Sequence, residues 1–431
     1  MKSTAQPMQQ DPDATRTIRL FYGFQFFFSL LLWTPVFYEY QRRMGLSDPE
    51  VFSIQSIYYL AFLFLEIPTG LLADRWSKLG CLKLGAVILA FSNLLPVFAP
   101  TYGGFLWHFV LVALARSLIS GAGSAYLYDY LDGRGLARLY KKAEGRARAY
   151  SLAGKVVFWA GIGVLMEWKL SLPYTLTAIA AAVSLGFALF LPRSLDGGGR
   201  PSQTESGLKT NLLPVFKVLK ARPVLILIIL QGIAIFVLSR VCQVNLFQPL
   251  LTERDLGPAS FGWIMSVITL FEAMGSAYPG QFQRGLGILG RRFSVRLESD
   301  LNSIFVLTGV IAISMSLIAF SGAVGAVFWL SVLSWATGLA FPIQRQLMND
   351  AIPDTRFRAT LLSLESIFDR AVTAWVVSLL GTVVATGRIG TFLHLSAVFS
   401  LLGMAGLAIA FISMQRTREG TINPSGIAAR R

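Results

Sequence analysis

Residues 66–75 read Glu-Ile-Pro-Thr-Gly-Leu-Leu-Ala-Asp-Arg, and this stretch governs how the rest of the chain is interpreted. It ends a long apolar segment that begins near Val51 and leads into a short charged turn. An apolar segment of this length crosses the hydrocarbon core of a bilayer as a helix. Pro68 and Gly70 are predicted to bend that helix near its end. Arg75, next to the membrane, marks this end as cytoplasmic.

The composition of the whole chain indicates a membrane protein. Its 431 residues are 54% hydrophobic and only 14% charged, whereas about 25% of residues in soluble domains are charged. The apolar residues occur in blocks of about 20, which is the length of a membrane-spanning helix. The predicted spans are 17–40, 51–73, 82–99, 103–131, 150–168, 171–191, 223–250, 259–281, 301–320, 323–348, 359–385 and 389–413. The chain is therefore predicted to be an all-α protein with twelve transmembrane helices.

The net charge of +15 is distributed in alternate loops. With the N-terminus inside, most Lys and Arg residues fall in the inner loops 75–78, 132–148, 193–222, 284–296 and 356–358. The outer loops contain only Arg42, Arg43, Lys169, Arg254 and Arg388. This asymmetry follows the positive-inside rule, so both termini are predicted to be cytoplasmic in a multi-pass cell-membrane protein. It also argues against a nucleic-acid partner.

A flexible linker divides the twelve spans into two groups of six. Residues 195–210 form the only stretch rich in Gly, Ser and Pro, a composition typical of linkers. The predicted organisation is an N-terminal six-helix bundle at 1–192, a cytoplasmic linker at 193–222, and a C-terminal six-helix bundle with a short cytoplasmic tail at 223–431. Cys81 and Cys242 provide no disulfide framework and are predicted to be free thiols.

Gly70, Asp74 and Arg75 match the core of a pattern found between helices 2 and 3 of major facilitator superfamily transporters, roughly G-x-L-A-D-R-x-G-R-K. The chain thus resembles that family, although the tail of the motif differs. Residues 126–131 and 352–363 also resemble inner-face signatures of the family. The resemblance implies the major facilitator fold and transport of a small molecule by alternating access between two bundles. The protein is expected to act as a monomer.

Two further features bear on the branch of the family. Residues 66–70 resemble a helix 2 ending common in bacterial exporter-like branches, which implies efflux across a bacterial inner membrane. Span five contains Gly154, Gly161 and Gly163 but no Gly-Pro pair. It therefore departs from the motif of drug/proton antiporters, which argues against a classical multidrug transporter.

Five ionisable side chains fall within predicted spans: Arg116, Arg240, Glu365, Asp369 and Arg370. An ionised side chain at mid-bilayer costs about 2.5–3.5 kcal/mol on insertion scales, so such residues are expected to face a cavity or a partner. Glu365 and Asp369 are four residues apart and share one helix face. This arrangement predicts that they bind and release a proton. The alternative is that they only neutralise Arg370 or Arg240 in a static network.

Arg116 resembles the arginine in the middle of helix 4 of the family, which is often linked to proton coupling. Its alternative role is a structural bond to a backbone carbonyl. Arg240 is predicted to orient substrate, or alternatively to shape the potential near the outer vestibule. Because guanidinium groups bind carboxylates and phosphates bidentately, these residues favour an anionic or zwitterionic substrate. Aromatic residues in the spans would also admit an amphiphile.

The family resemblance further implies a latch that closes the inner gate, formed by Gly70, Asp74, Arg75 and Asp129 between helices 2, 4 and 11. The motif Asp would meet the N-terminal end of helix 11, where free backbone N–H groups favour an anion. Breaking that contact would bias the two states of the transporter. The alternative is a simple helix cap with basic residues around it.

The sequence contains no catalytic or metal-binding motif. His108 and His394 are isolated and are predicted to pack near outer helix ends, and the chain has no P-loop, so no ATP hydrolysis is expected. No cofactor, no metal and no enzymatic activity are predicted. The favoured function is proton-coupled export of a small organic molecule. The alternatives are an importer or facilitator of organic acids, a membrane-embedded enzyme acting on lipid-linked substrates, and a scaffold that has lost transport.

Overall fold

The computed structural model describes residues 11–193, 223–292, 299–352 and 358–422. The described chain is helical throughout and contains no strand. Its helices are α1 Pro12–Ser29, α2 Phe37–Arg43, α3 Asp48–Arg75, α4 Lys78–Ser92, α5 Leu95–Phe98, α6 Tyr102–Asp132, α7 Tyr140–Trp159, α8 Ile162–Trp168, α9 Leu172–Phe190, α10 Pro223–Arg240, α11 Phe247–Thr252, α12 Pro258–Ala277, α13 Pro279–Arg292, α14 Asp300–Phe320, α15 Ala323–Ala351, α16 Arg358–Ala385 and α17 Ile389–Ile422.

Eleven helical segments of the described chain are long and apolar enough to cross a membrane. The pair α7 and α8, which bends by 45° at its junction, makes a twelfth if the two form one span. Large apolar side chains such as Phe98 and Val324 are more than three-quarters exposed, as expected for residues that face acyl chains rather than water. These features confirm the predicted all-α, multi-pass membrane class.

Polar residues at the helix starts explain where several spans begin. Ser47 and Glu50 form a capping box at the start of α3, and the Thr101 side chain accepts a hydrogen bond from Gly104 N at the start of α6. Such caps satisfy backbone N–H groups that have no partner within the helix. Pro68 lies inside α3, but the helix continues past it to Arg75.

Two predicted inner loops are largely helical, which corrects the sequence interpretation. The segment 132–148 contains most of the first half of α7, which begins at Tyr140. The segment 284–296 contains the second half of α13. Neither α7 nor the 284–292 part of α13 contains a proline, and α13 starts on one, a position where proline favours helix formation. Helices α7 and α13 therefore extend beyond the predicted apolar spans into basic segments.

The predicted span 223–250 is not a single regular helix. Helix α10 ends at Arg240 and is followed by a π-helical turn at Val241–Asn245. The Leu246 N–H donates to the Val241 carbonyl at 2.8 Å, which is the five-residue spacing of a π turn. Helix α11 then continues the segment.

The chain forms two compact units. Unit 1 contains Met1–Ser206 together with the short segments Leu256–Ser266 and Ala374–Gly381. Its core includes the fully buried rings of Phe21, Phe105 and Tyr126. Most of the predicted linker, residues 194–222, lies outside the described residues.

Unit 2 contains Gly207–Asp255, Val267–Thr373 and Thr382–Arg431. Buried aliphatic side chains on α14 and α15, including Ile304 and Leu330, form its core. The predicted bundles at 1–192 and 223–431 do not coincide with these units, since Leu256–Ser266 and Ala374–Gly381 belong to unit 1. The division into two six-helix bundles therefore stays a prediction.

Candidate functional site

In unit 1, Arg116 projects from the middle of α6. Its Nη1 atom donates to the Tyr58 hydroxyl of α3 at 2.7 Å, and its guanidinium carbon lies 5.8 Å from the centroid of the Phe62 ring. Tyr58 is buried, whereas Arg116 is exposed. The bonding partner is a side-chain hydroxyl rather than the backbone carbonyl considered as the alternative. Because a guanidinium has five N–H donors, most of the donors of Arg116 stay available to an anionic group.

Small and buried residues flank Arg116 on α6. Val112, Ala113 and Ala115 are fully buried, and Ser117 is nearly so. Small residues let neighbouring helices approach closely in membrane proteins. Arg116 is exposed although its neighbours along the helix are closely packed.

In unit 2, Arg240 joins two membrane-spanning helices. Its Nη1 atom donates to Asp369 Oδ2 at 2.7 Å and to Thr373 Oγ1 at 2.9 Å. Asp369 and Thr373 are one turn apart on α16 and therefore share a face. The side chains of Arg240 and Asp369 are 31% and 17% exposed, so the pair is neither fully solvated nor sealed. The structure thus brings together two residues that the sequence singled out separately.

Glu365 forms a second ion pair in unit 2. Arg345 of α15 donates from Nη1 to Glu365 Oε2 at 3.0 Å, and the Glu365 side chain is only 9% exposed. Glu365 and Asp369 therefore each bind an arginine from a different helix. Arg370 is half-buried on the same helix, but adjacent helical residues do not face each other.

Arg345 was not among the residues predicted from the sequence. The residue lies within the predicted span 323–348, so the criterion that identified Arg116 and Arg240 would have found it too. Polar contacts beside Arg240 were also missed. Gln243 of the π turn donates to Ser334 at 3.1 Å, and Thr337 donates to Ser239 at 2.9 Å. The sequence did contain a signal for these contacts, since Ser334 and Thr337 are three residues apart in an otherwise apolar helix.

The residues of the predicted latch are only partly described. Asp129 forms an ion pair with Lys78, which the prediction did not include. Arg75 is exposed, and a Cβ atom at Gly70 would have no neighbour within 4 Å. Asp74 lies in α3, but its side chain is outside the described part of the structure. The latch therefore stays a prediction.

The two histidines lie in different surroundings. His108 is fully buried, with Nδ1 2.8 Å from the Ser92 carbonyl oxygen and with Trp33 and Tyr174 around its ring. His394 lies with Nδ1 2.9 Å from Ser316 Oγ. Among the described residues, no group of three His, Cys, Asp or Glu side chains is arranged to hold a metal ion. Cys81 and Cys242 form no disulfide, as predicted, and both are buried.

Comparisons with known proteins agree on one type of protein. A model of the Major Facilitator Superfamily matches residues 17–368. No curated protein matches the sequence significantly. The chain is similar in structure to the nucleoside transporter NupG, with a TM-score of 0.68, 16% identity, and coverage of 93% of this chain and 99% of that one.

It is also similar to two POT transporters. For PepTSo, a transporter of the POT family, the TM-score is 0.70 at 12% identity, over 93% of this chain and 98% of that one. For a peptide transporter POT in complex with sulfate, the TM-score is 0.72 at 14% identity, over 95% of this chain and 96% of that one. At such low identity these similarities establish the fold alone.

Proposed function

The chain belongs to the Major Facilitator Superfamily, and on that premise we propose that it is a proton-coupled secondary transporter that exports a small organic molecule by alternating access. The proposed location is a bacterial inner membrane. The proposed substrate is anionic, zwitterionic or amphiphilic. The outward direction is supported by the resemblance of residues 66–70 to exporter-like branches.

The observation that carries the proposal is the ion pair between Arg240 and Asp369, which links two membrane-spanning helices. When Asp369 binds a proton, it loses the charge that holds Arg240. The guanidinium fork is then free to bind a carboxylate or phosphate of the substrate. Proton binding and substrate binding therefore act on the same pair of side chains, which is the requirement for coupling their movements.

The charge of the substrate determines whether substrate and proton move in the same direction or in opposite directions. A purely anionic substrate that takes Arg240 binds best when Asp369 is protonated, so substrate and proton would travel together. A substrate with a cationic group next to Asp369 competes with the proton, so the two would be exchanged. Because a proton-driven exporter requires exchange, the export proposal favours a zwitterion among the three classes.

Glu365 and Arg116 have supporting roles in this proposal. Glu365 is four residues from Asp369 and bound to Arg345, so it can take up a proton when that pair opens. Arg116 in unit 1 offers an exposed guanidinium held by Tyr58 for the anionic group of a substrate.

The test begins with a ligand screen on the purified protein by thermal unfolding, because a ligand stabilises the state that it binds. The probes are zwitterionic amino acids and dipeptides, monocarboxylates, and lipophilic cations such as tetraphenylphosphonium. We expect stabilisation by a zwitterion that weakens as the pH is lowered. Stabilisation by lipophilic cations alone would contradict the proposed substrate classes.

The second stage measures transport of the identified ligand in inverted membrane vesicles. An exporter driven by protons accumulates the ligand in these vesicles only while the proton gradient is present. Accumulation that persists after the gradient is collapsed would exclude proton-driven export.

One observation favours the import of organic acids as a second candidate. That observation is again the Arg240–Asp369 pair, which by the step described above would take up an anion and a proton together. This candidate predicts stabilisation by monocarboxylates that strengthens as the pH is lowered. The same ligand screen therefore separates it from exchange.

A further inference from the structure

The first turns of α1 border a groove with an unusual excess of positive charge. A cavity of about 290 Å³ lies between α1, the 3-10 turn Ala137–Leu139 and the start of α7. We call it the α1–α7 groove. Its charged lining residues are Asp11, Arg19, Arg138, Lys142 and Arg146.

A second cavity adjoins the groove. It measures about 460 Å³, lies between α1 and α9, and shares Thr15 and Arg19 with the α1–α7 groove. Arg16 adds a fifth basic side chain here, whereas Leu20 and Phe187 add apolar surface. The two cavities together combine five cationic side chains with an apolar wall.

Little of this positive charge is neutralised. Asp11, the one carboxylate lining the two cavities, accepts a hydrogen bond from Arg134 at 2.7 Å, and this bond lowers the pKa of Asp11. Arg146 bonds to the Tyr22 hydroxyl, which is uncharged. Among the residues that the structure describes, no carboxylate lies within 4.0 Å of the charged nitrogens of Arg19 or Lys142. The two cavities therefore have five basic side chains and one carboxylate, Asp11, which is bound to Arg134.

The position of the groove matches the headgroup level of a membrane. Helix α1 starts at Pro12 and belongs to the span Pro12–Arg43, while Arg138 and Lys142 follow the end of the span Tyr102–Asp132. Basic pockets between membrane helices bind anionic headgroups, because guanidinium and ammonium groups pair with phosphate oxygens. A free phosphate ion would use the same cations but would gain nothing from Leu20 and Phe187.

We propose that the α1–α7 groove binds the headgroup phosphate of an anionic membrane phospholipid, with the lipid's apolar part against Leu20 and Phe187. The site differs from the ion pair of Arg240 and Asp369 and requires only that the chain spans a membrane. Arg19 is the central residue because it lines both cavities. Lys142 lies across the groove on α7.

The test measures lipid binding to the detergent-purified, full-length protein by native mass spectrometry. The probes are phosphatidylglycerol, phosphatidylcholine and, separately, inorganic phosphate. We expect phosphatidylglycerol to bind in preference to phosphatidylcholine. The double variant Arg19→Gln/Lys142→Gln should weaken phosphatidylglycerol binding roughly 30-fold, since each basic side chain near a membrane surface contributes about fivefold.

The matched control is Lys141→Gln/Arg193→Gln, which removes two exposed cations that do not line either cavity. It should leave phosphatidylglycerol binding within about twofold of the unmodified protein. An equal loss in both double variants would overturn the proposal in favour of general surface attraction. Equal binding of the two lipids, or binding of inorganic phosphate as tight as that of the lipid, would also overturn it.

A second pair of variants tests the site without removing a basic residue. Asp11→Asn removes the carboxylate of the groove and keeps a residue that caps helix α1 well. It should tighten phosphatidylglycerol binding about fivefold. Asp13→Asn changes a neighbouring carboxylate that is 74% exposed and outside the groove, and it should have a smaller effect. The opposite order of the two effects would contradict the proposed site.

Discussion

Asp369 is the residue on which the proposed coupling depends. Replacing it with Asn keeps the size of the side chain but leaves Arg240 without its anionic partner. We expect Asp369→Asn to lower the free energy of unfolding by about 1–3 kcal/mol, less than for a fully buried pair, because both partners are partly exposed. Transport of the identified ligand should no longer depend on the proton gradient. Thermal unfolding and vesicle transport check the two effects.

The matched control for this prediction is Asp350→Asn, an exposed carboxylate bonded to Gln346 one turn away. It should change neither property. In the double variant Arg240→Gln/Asp369→Asn no unpaired charge remains, so part of the lost stability should return. Normal proton coupling in Asp369→Asn and in Glu365→Gln would show that these carboxylates do not carry the proton.

For individual residues, the sequence identified the charged side chains of the candidate site but not their bonding partners. Arg240, Glu365 and Asp369 were found because charge within an apolar span is costly. Their actual partners depend on how α10, α15 and α16 are rotated about their axes, which one sequence does not determine. Arg345 was overlooked although the same criterion applies to it, because it lies near the end of its predicted span.

Glycines set the distance between elements in unit 2. A Cβ atom on Gly338 of α15 would overlap the Glu272 carbonyl of α12, and one on Gly275 would overlap the Trp335 carbonyl. Ser276 also donates to the Gly338 carbonyl at 3.1 Å. The two helices therefore cross with their backbones in contact, as small residues permit in membrane proteins.

This crossing predicts an unequal effect of identical substitutions. Gly338→Ala should lower the free energy of unfolding by about 1–3 kcal/mol, because backbone atoms must move to make room. Gly309→Ala in α14 places its methyl group in open space and should stabilise the helix by up to about 1 kcal/mol. Thermal unfolding of both purified variants measures the difference. Equal midpoints would show that α12 and α15 are not in close contact.

The elements themselves were largely predictable from the sequence. Long apolar runs located the spans, whereas the caps at Ser47 and Thr101 were recognised only in the structure. The prediction was wrong where polar segments stay helical, as in α7 and α13, because hydropathy detects the membrane and not the helix. The π turn after Arg240 gave no signal, since its five residues are ordinary helix-compatible ones.

The whole molecule is predicted to lie in the membrane with both termini inside. Lys169, which follows α8, should then be outside, and Lys141 at the start of α7 should be inside. A membrane-impermeant maleimide should label Lys169→Cys in intact cells and Lys141→Cys only after permeabilisation. The native Cys81 and Cys242 are buried, so the unmodified protein serves as the unlabelled control. Labelling of Lys141→Cys in intact cells would reverse the predicted orientation.

The fold of the whole chain was recognisable from the short motif around Gly70 and Asp74 together with the pattern of spans. The substrate could not be recognised from the sequence. The similar solved structures share only 12–16% of their residues with this chain, so they indicate the course of the helices but not the side chains that contact a ligand. Specificity depends on those side chains, which is why it must be measured on this protein.

The π turn at Val241–Asn245 has a consequence for changes in chain length. A π turn holds one more residue than the α-helical turn that it replaces. Deleting a single amino acid from most membrane spans would shift every following side chain by about 100° around the axis. A deletion within Val241–Asn245 would instead restore regular spacing and leave Arg240 and α11 in their present phase. This span therefore contains one position at which shortening by one residue is tolerated.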